Sequence, residues 1–137
     1  MIRSDFPEIS KIRLKEAQAL LAAGLCDGAY YLAGYAVECA IKACIAKGTR
    51  RYEFPEKRKV EASYSHNLRE LVKVADLEDA RLQRARMDPY FRKNWDVVQD
   101  WSEQSRYARH APESAKALLD AVANRRYGVI SWIKLHW

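Results

Sequence analysis

Asp27-Gly-Ala-Tyr-Tyr31-Leu-Ala-Gly-Tyr35-Ala-Val-Glu38-Cys-Ala-Ile-Lys42-Ala43 is the stretch on which the fold turns. Its alanines at 29, 33, 36, 40 and 43 recur at spacings of four, three, four and three. In a helix that rhythm makes one continuous seam of small residues, along which a second helix can approach closely. The pattern predicts a helix from about Asp27 to Lys47 that ends at Gly48, a natural stop. Tyr31, Tyr35, Glu38 and Lys42 fall on a different face, roughly in line with Asp27. A helix apolar on most sides, with one narrow polar strip, belongs at the centre of a bundle. The strip either lines a site or reaches solvent.

On the N-terminal side, Ser10 is read as the cap of a first helix. That helix runs through Ile12, Ala17, Leu20 and Leu21 to a stop at Gly24. On the C-terminal side, residues 49 to 64 break the pattern with Pro55 and a run of Arg50, Arg51, Lys57, Arg58 and Lys59. Glu53, Glu56 and Glu61 are interleaved, which predicts a solvated loop rather than a nucleic-acid arm. Asn67 with Glu70 resembles a capping box for a short helix through Leu68, Leu71, Val72 and Ala75. His66 is then accounted for as a helix-start residue rather than a ligand.

A further helical segment begins near Leu77, and Asp88-Pro89 signals a fresh start. Phe91, Trp95, Val98 and Trp101 follow at helical spacing, so these aromatics are expected in the core. Base stacking by Trp95 or Trp101 is the lesser alternative. Pro112 opens the last helix, which presents Ala115, Leu118, Leu119, Val122, Val129, Ile130 and Ile133. A kink is expected at Gly128, and Trp132 and Trp137 extend the buried face. No strand pattern competes. The predicted architecture is all-α, an antiparallel up-and-down bundle of about five helices forming one domain over residues 1–137.

Apolar residues make up 49% and charged residues 31% of the 137-residue chain, a globular balance. The net charge of +6 suits an anionic partner without requiring one. No apolar run approaches the ~18 residues of a spanning helix. The opening Met-Ile-Arg-Ser-Asp-Phe-Pro-Glu lacks the apolar core of a signal peptide, so no membrane association and a cytoplasmic location are expected. Cys26, Cys39 and Cys44 are odd in number and form no Cys-x-x-Cys, and the histidines are scattered at 66, 110 and 136. Zinc wants four ligands at paired spacings, so neither a metal site nor a cofactor is expected.

Trp101-Ser-Glu-Gln-Ser-Arg106-Tyr107-Ala-Arg109-His110-Ala-Pro112 carries the chemistry. Two arginines and a histidine gather before a proline suited to the first helical position. Backbone N–H groups and the helix dipole attract phosphate there. An arginine fork grips phosphate oxygens, and a histidine moves protons near neutral pH. If residues 106 to 110 are helical, Arg106 and His110 share one face. Pro112, however, biases Ala111 away from the helical region and predicts a break. The plain structural alternative pairs Arg106 with Glu38 or Glu103 and leaves His110 capping a surface turn.

The Asp27–Ala43 segment resembles the second helix of HEPN-domain proteins, which mix small and aromatic residues before an Ala-x-Glu-x-Ala-x-Lys-Ala type ending. Ser65-His66-Asn67-Leu68, the Trp101 to Tyr107 segment and the closing Gly128-Val-Ile-Ser-Trp-Ile-Lys fit the same resemblance, which spans about Ile12 to Trp137. The resemblance implies a small helical bundle that pairs as a homodimer and binds RNA or nucleotide. In many such proteins it also implies a toxin-like, metal-independent endoribonuclease partnered by a nucleotidyltransferase-like antitoxin. The alternative it leaves is a non-catalytic nucleotide-binding or protein-interaction module. The family's ribonuclease motif is an arginine and a histidine separated by four to six residues; Arg106 and His110 are separated by three. By that resemblance Arg106 and His110 are the catalytic candidates. Arg106, Arg109, Tyr107, Glu38 and Tyr31 are the candidates for phosphate or nucleotide binding. Glu38 or Tyr31 is expected to orient the histidine, and Tyr107 to be a residue that a partner contacts or modifies.

Overall fold

A computed structural model of the chain describes residues 5–48 and 57–137. Among them lie α1 (Asp5–Ala22), α2 (Cys26–Gly48), α3 (Lys57–Ala62), α4 (Leu68–Val74), α5 (Glu78–Met87), α6 (Pro89–Val98), α7 (Pro112–Ala123) and α8 (Val129–Ile133). A 3-10 turn, Glu103–Tyr107, links α6 to α7. No strand occurs among the described residues, and the all-α class is as predicted. The helices outnumber five because α3, α4 and α8 are only one or two turns long.

α2 is the centre of the molecule, touching α1, α4, α7, α8 and the 3-10 turn. The alanine seam is fully used. Ala29, Ala33, Ala36 and Ala40 have no exposed surface, and Ala43 has 5%. Small side chains let α1 approach until the Ser10 hydroxyl donates to the Ala36 carbonyl at 2.7 Å. Ser10 is therefore not a cap. The described residues are already helical from Asp5, and Ser10 lies buried within that helix. The stop at Gly24 is as expected. Gly24 takes φ +78°, and the N–H groups of Gly24 and Leu25 donate back to Leu21 and Leu20, a Schellman closure.

The residues up to 56 of the expected charged loop lie outside the described residues. Beyond them the loop reading is corrected, because Lys57–Ala62 forms α3. Asn67 caps α4 by accepting from the Glu70 N–H at 3.0 Å. The box is completed indirectly, since Ser65 Oγ accepts from the Asn67 N–H and donates to the Glu70 carboxylate. Asp88 caps α6, accepting from the Tyr90 and Phe91 N–H groups with Pro89 at the first position. Phe91, Trp95 and Val98 turn inward from α6, and Trp101 follows them into the core. Each such large apolar side chain contributes about 1.5–3 kcal/mol relative to exposure.

The kink expected at Gly128 is instead a complete break. α7 ends at Ala123, and the Asn124 side chain accepts from the N–H groups of Arg126 and Tyr127. That side chain offers the backbone an alternative to the helix ladder. Asn94 on α6 fixes the turn by donating to the Tyr127 carbonyl at 2.9 Å. α8 then restarts after Gly128 and buries Val129, Ile130, Trp132 and Ile133. No helix among the described residues is long and apolar enough to cross a membrane.

Candidate functional site

The polar strip of α2 runs from a buried carboxylate to an exposed arginine. Glu38 is 2% exposed, the only buried acid among the described residues. A buried carboxylate is costly unless paired and hydrogen-bonded. Lys42, one turn along α2, places Nζ 3.2 Å from its Oε2. The docking of α4 brings His66 over the same group, with Nδ1 3.0 Å from both carboxylate oxygens. Carboxylate oxygens accept, so Nδ1 donates to them and Nε2 is turned away. Nε2 faces Glu103 Oε2 at 3.5 Å, and Glu103 Oε1 lies 3.6 Å from Arg106 Nη2. A chain of polar contacts thus runs from Lys42 through Glu38, His66 and Glu103 to Arg106.

Arg106 is braced from below. Its Nη2 donates to the Tyr31 hydroxyl at 3.2 Å, and its guanidinium lies 5.3 Å from the Tyr31 ring centre and 5.6 Å from that of Tyr107. Tyr31 raises the Arg106 pKa first, and Tyr107 adds to it, so the cation persists at any accessible pH. Tyr31 is itself stacked with Tyr35 and packs tilted against Trp101, each ring centre 6.0 Å away. Tyr107 is 75% exposed. The pairing of Arg106 with Glu103 is present, and that with Glu38 is replaced by His66.

His110 and Arg109 belong to a neighbouring face. The His110 backbone N–H donates to Asp27 Oδ1 at 2.6 Å, and its ring stacks on Tyr30 at 3.7 Å with an interplanar angle of 8°. His110 Nε2 lies 3.1 Å from the Ser105 carbonyl. A carbonyl only accepts, so Nε2 donates and Nδ1 is left as the acceptor in the neutral ring. Ala108 and Ala111 are both extended, so residues 106 to 110 do not continue as a helix. Arg106 rests on Tyr31 and His110 on Tyr30. Consecutive helical residues point about 100° apart, and the two side chains are directed to adjacent faces of α2 rather than one. Beside His110, the starts of α2 and α7 meet at an open cleft of about 430 Å³ lined by Gly24, Leu25, Asp27, Arg109, His110 and Pro112.

The family model for the HEPN domain matches residues 4–132, nearly the whole chain. The chain belongs to the HEPN family. No curated protein and no solved structure matches it significantly.

In this HEPN domain the orienting residues differ from those expected. Glu38 faces His66, not His110, and Tyr31 faces Arg106; His110 is held by Asp27, Tyr30 and Ser105. His66, Tyr30 and Ser105 are participants that the sequence did not mark for the site, whereas Asp27 was expected only in line with the polar strip and Glu103 only as a structural partner of Arg106. One signal pointed to His66. A lone glutamate among buried alanines needs a cation, and Ser65-His66-Asn67 precedes the helix that packs there. Among the described residues no three His, Cys, Asp or Glu side chains gather as metal ligands. Cys39 and Cys44 are buried free thiols, their pKa pushed up to about 11 chiefly by desolvation.

Proposed function

We propose that this HEPN protein binds RNA or a nucleotide through phosphate, on the adjoining faces that carry Arg106 with Tyr107 and Arg109 with His110. We further propose that it acts in the cytoplasm as a toxin-like, metal-independent endoribonuclease, as a homodimer held in check by a nucleotidyltransferase-like antitoxin. One observation supports this reading above the others. The His110 ring is clamped on Tyr30 and donates from Nε2, leaving Nδ1 to accept a proton beside a cleft that two helix starts and Arg109 make attractive to phosphate.

In that reaction His110 Nδ1 takes the proton of a ribose 2′-hydroxyl, and the freed oxygen attacks the adjacent phosphorus. The bond from phosphorus to the 5′-oxygen breaks, giving a 2′,3′-cyclic phosphate and a 5′-hydroxyl. An arginine stabilises the charge gathering on the phosphoryl oxygens. A two-fold dimer sets two such histidines across one groove, so one acts as base and the other as acid toward the leaving oxygen.

The test is cleavage of end-labelled RNA in EDTA by the wild type, free of any antitoxin, and by His110→Ala. The expected outcome is cleavage by the wild type and a loss of roughly 10²–10⁴-fold in the variant. A folded wild type that binds RNA without cutting it removes the enzyme and retains the phosphate-binding function.

A further inference from the structure

Glu103 sits between two groups suited to recognising an anion. Its two oxygens reach His66 Nε2 at 3.5 Å and Arg106 Nη2 at 3.6 Å. Both separations exceed the roughly 2.7–2.9 Å of a well-formed charge-assisted hydrogen bond. The Glu103 carboxylate is therefore weakly held by both neighbours. His66 and Arg106, 43% and 41% exposed, each have a second anchoring contact. His66 is fixed by Nδ1 on the buried Glu38 carboxylate, and Arg106 is braced by the Tyr31 hydroxyl and ring. In its imidazolium form the ring donates from Nδ1 to Glu38 and from Nε2 toward Glu103.

A braced imidazole and a braced guanidinium aimed at one weakly held carboxylate have the form of an oxyanion site with a stand-in occupant. A phosphate presents two oxygens in much the same bite as a carboxylate, and arginine forks suit both. Tyr107, exposed beside the guanidinium, offers a face on which a base attached to that phosphate can stack. We propose that His66 and Arg106 form a phosphate-binding site, that Glu103 fills it in the free protein, and that the phosphate of RNA or a nucleotide displaces Glu103. The inference rests on the reading that the protein binds RNA or nucleotide, and it makes His66 the histidine that works with Arg106.

The experiment is binding of a labelled oligoribonucleotide and, in a separate arm, of ATP, each followed by fluorescence. Glu103→Gln removes the occupant's charge, and Glu8→Gln makes the same charge change on an exposed part of α1. His66→Asn keeps an amide N–H where Nδ1 meets Glu38 and lacks the outer nitrogen. The expected result is several-fold tighter binding by Glu103→Gln than by Glu8→Gln, and binding about tenfold weaker by His66→Asn, the scale of one hydrogen bond to a charged group. Gains confined to the RNA arm identify a phosphodiester as the ligand, and gains confined to ATP a nucleotide phosphate. Glu103→Gln binding no tighter than Glu8→Gln, or a folded His66→Asn binding as the wild type does, overturns the site. If the wild type binds RNA in that case, the function proposed above survives on the Arg109 and His110 side. If the wild type binds neither ligand, both are overturned.

Discussion

The five-membered ring of the Trp101 indole lies over Gly34, so close that a Cβ at position 34 would run into Cδ1, Cδ2 and Cε2 together. Trp101 is 2% exposed and immediately precedes the turn that carries Glu103 and Arg106. The absence of a side chain at Gly34 therefore sets the height of that turn above α2. Gly34→Ala would ordinarily stabilise a helix interior by about 1 kcal/mol. Here the opposite sign is expected. The added methyl displaces a packed indole, a loss of roughly 1–3 kcal/mol, and moves Arg106 away from Tyr31. Urea unfolding together with RNA binding checks this, and a variant as stable as the wild type would show that the indole moves freely.

Glu38→Ala tests the buried end of the polar strip. It strips the carboxylate from His66 Nδ1 and Lys42 Nζ. Breaking a fully buried pair costs about 3–5 kcal/mol. The side chains of Lys42 and His66 are 16% and 43% exposed and regain water once released, so a loss of roughly 2 kcal/mol is expected. Glu38→Gln, which still accepts from His66, should lose less. Equal destabilisation by the two, measured in denaturant, would mean that charge rather than hydrogen bonding holds the strip together.

What the chain announced locally was legible. The alanine rhythm of α2, the stop at Gly24 and the Asp88-Pro89 start each depend on neighbours within a turn or two. What depended on tertiary register was not. Ser10 has the chemistry of a cap, but its hydroxyl was claimed by Ala36 across the interface of α1 and α2. Gly128 looked like a kink within one helix because the apolar pattern continues through it. Asn124 and Asn94 impose the break by bonding the turn between the two segments. His66 was explained locally by the cap beside it, and its contact with Glu38 spans 28 positions. Arg106 and His110 drew attention through proximity in sequence. The extended residues at 108 and 111 send their side chains to separate tyrosines.

The cysteines should separate cleanly by reactivity. Thiolate is the reactive form. With a pKa of about 11 for Cys39 and Cys44, only about a thousandth of either is ionised at pH 8. Both are also buried, whereas Cys26 is half-exposed at the start of α2. Titration of the folded protein with a thiol-specific chromophore at pH 8 should show one fast equivalent, with two more appearing on unfolding in denaturant. Three fast equivalents would mean that the packing of α2 against its neighbours opens readily.

His136 should make the fold weaken toward acid. Desolvation lowers its pKa below the ordinary 6.5, with Lys47 and Arg84 adding to the effect. As pH falls below about 6.5, the unfolded chain takes up this proton before the folded one does, so stability that is complete above that value declines as the folded pKa is approached. A tenfold difference in proton affinity between the two states corresponds to about 1.4 kcal/mol, and the half-buried ring should deliver only part of it because solvent screens the charge. His136→Phe preserves an aromatic ring beside Trp132, whose centre lies 5.4 Å from the histidine ring, and removes the titration. Thermal unfolding at pH 7.5 and pH 5 should therefore show a larger drop in Tm for the wild type than for His136→Phe. Equal drops would assign the acid sensitivity to the carboxylates, with Glu78 the first to examine, since its hydrogen bond to Arg81 holds its pKa below the usual value.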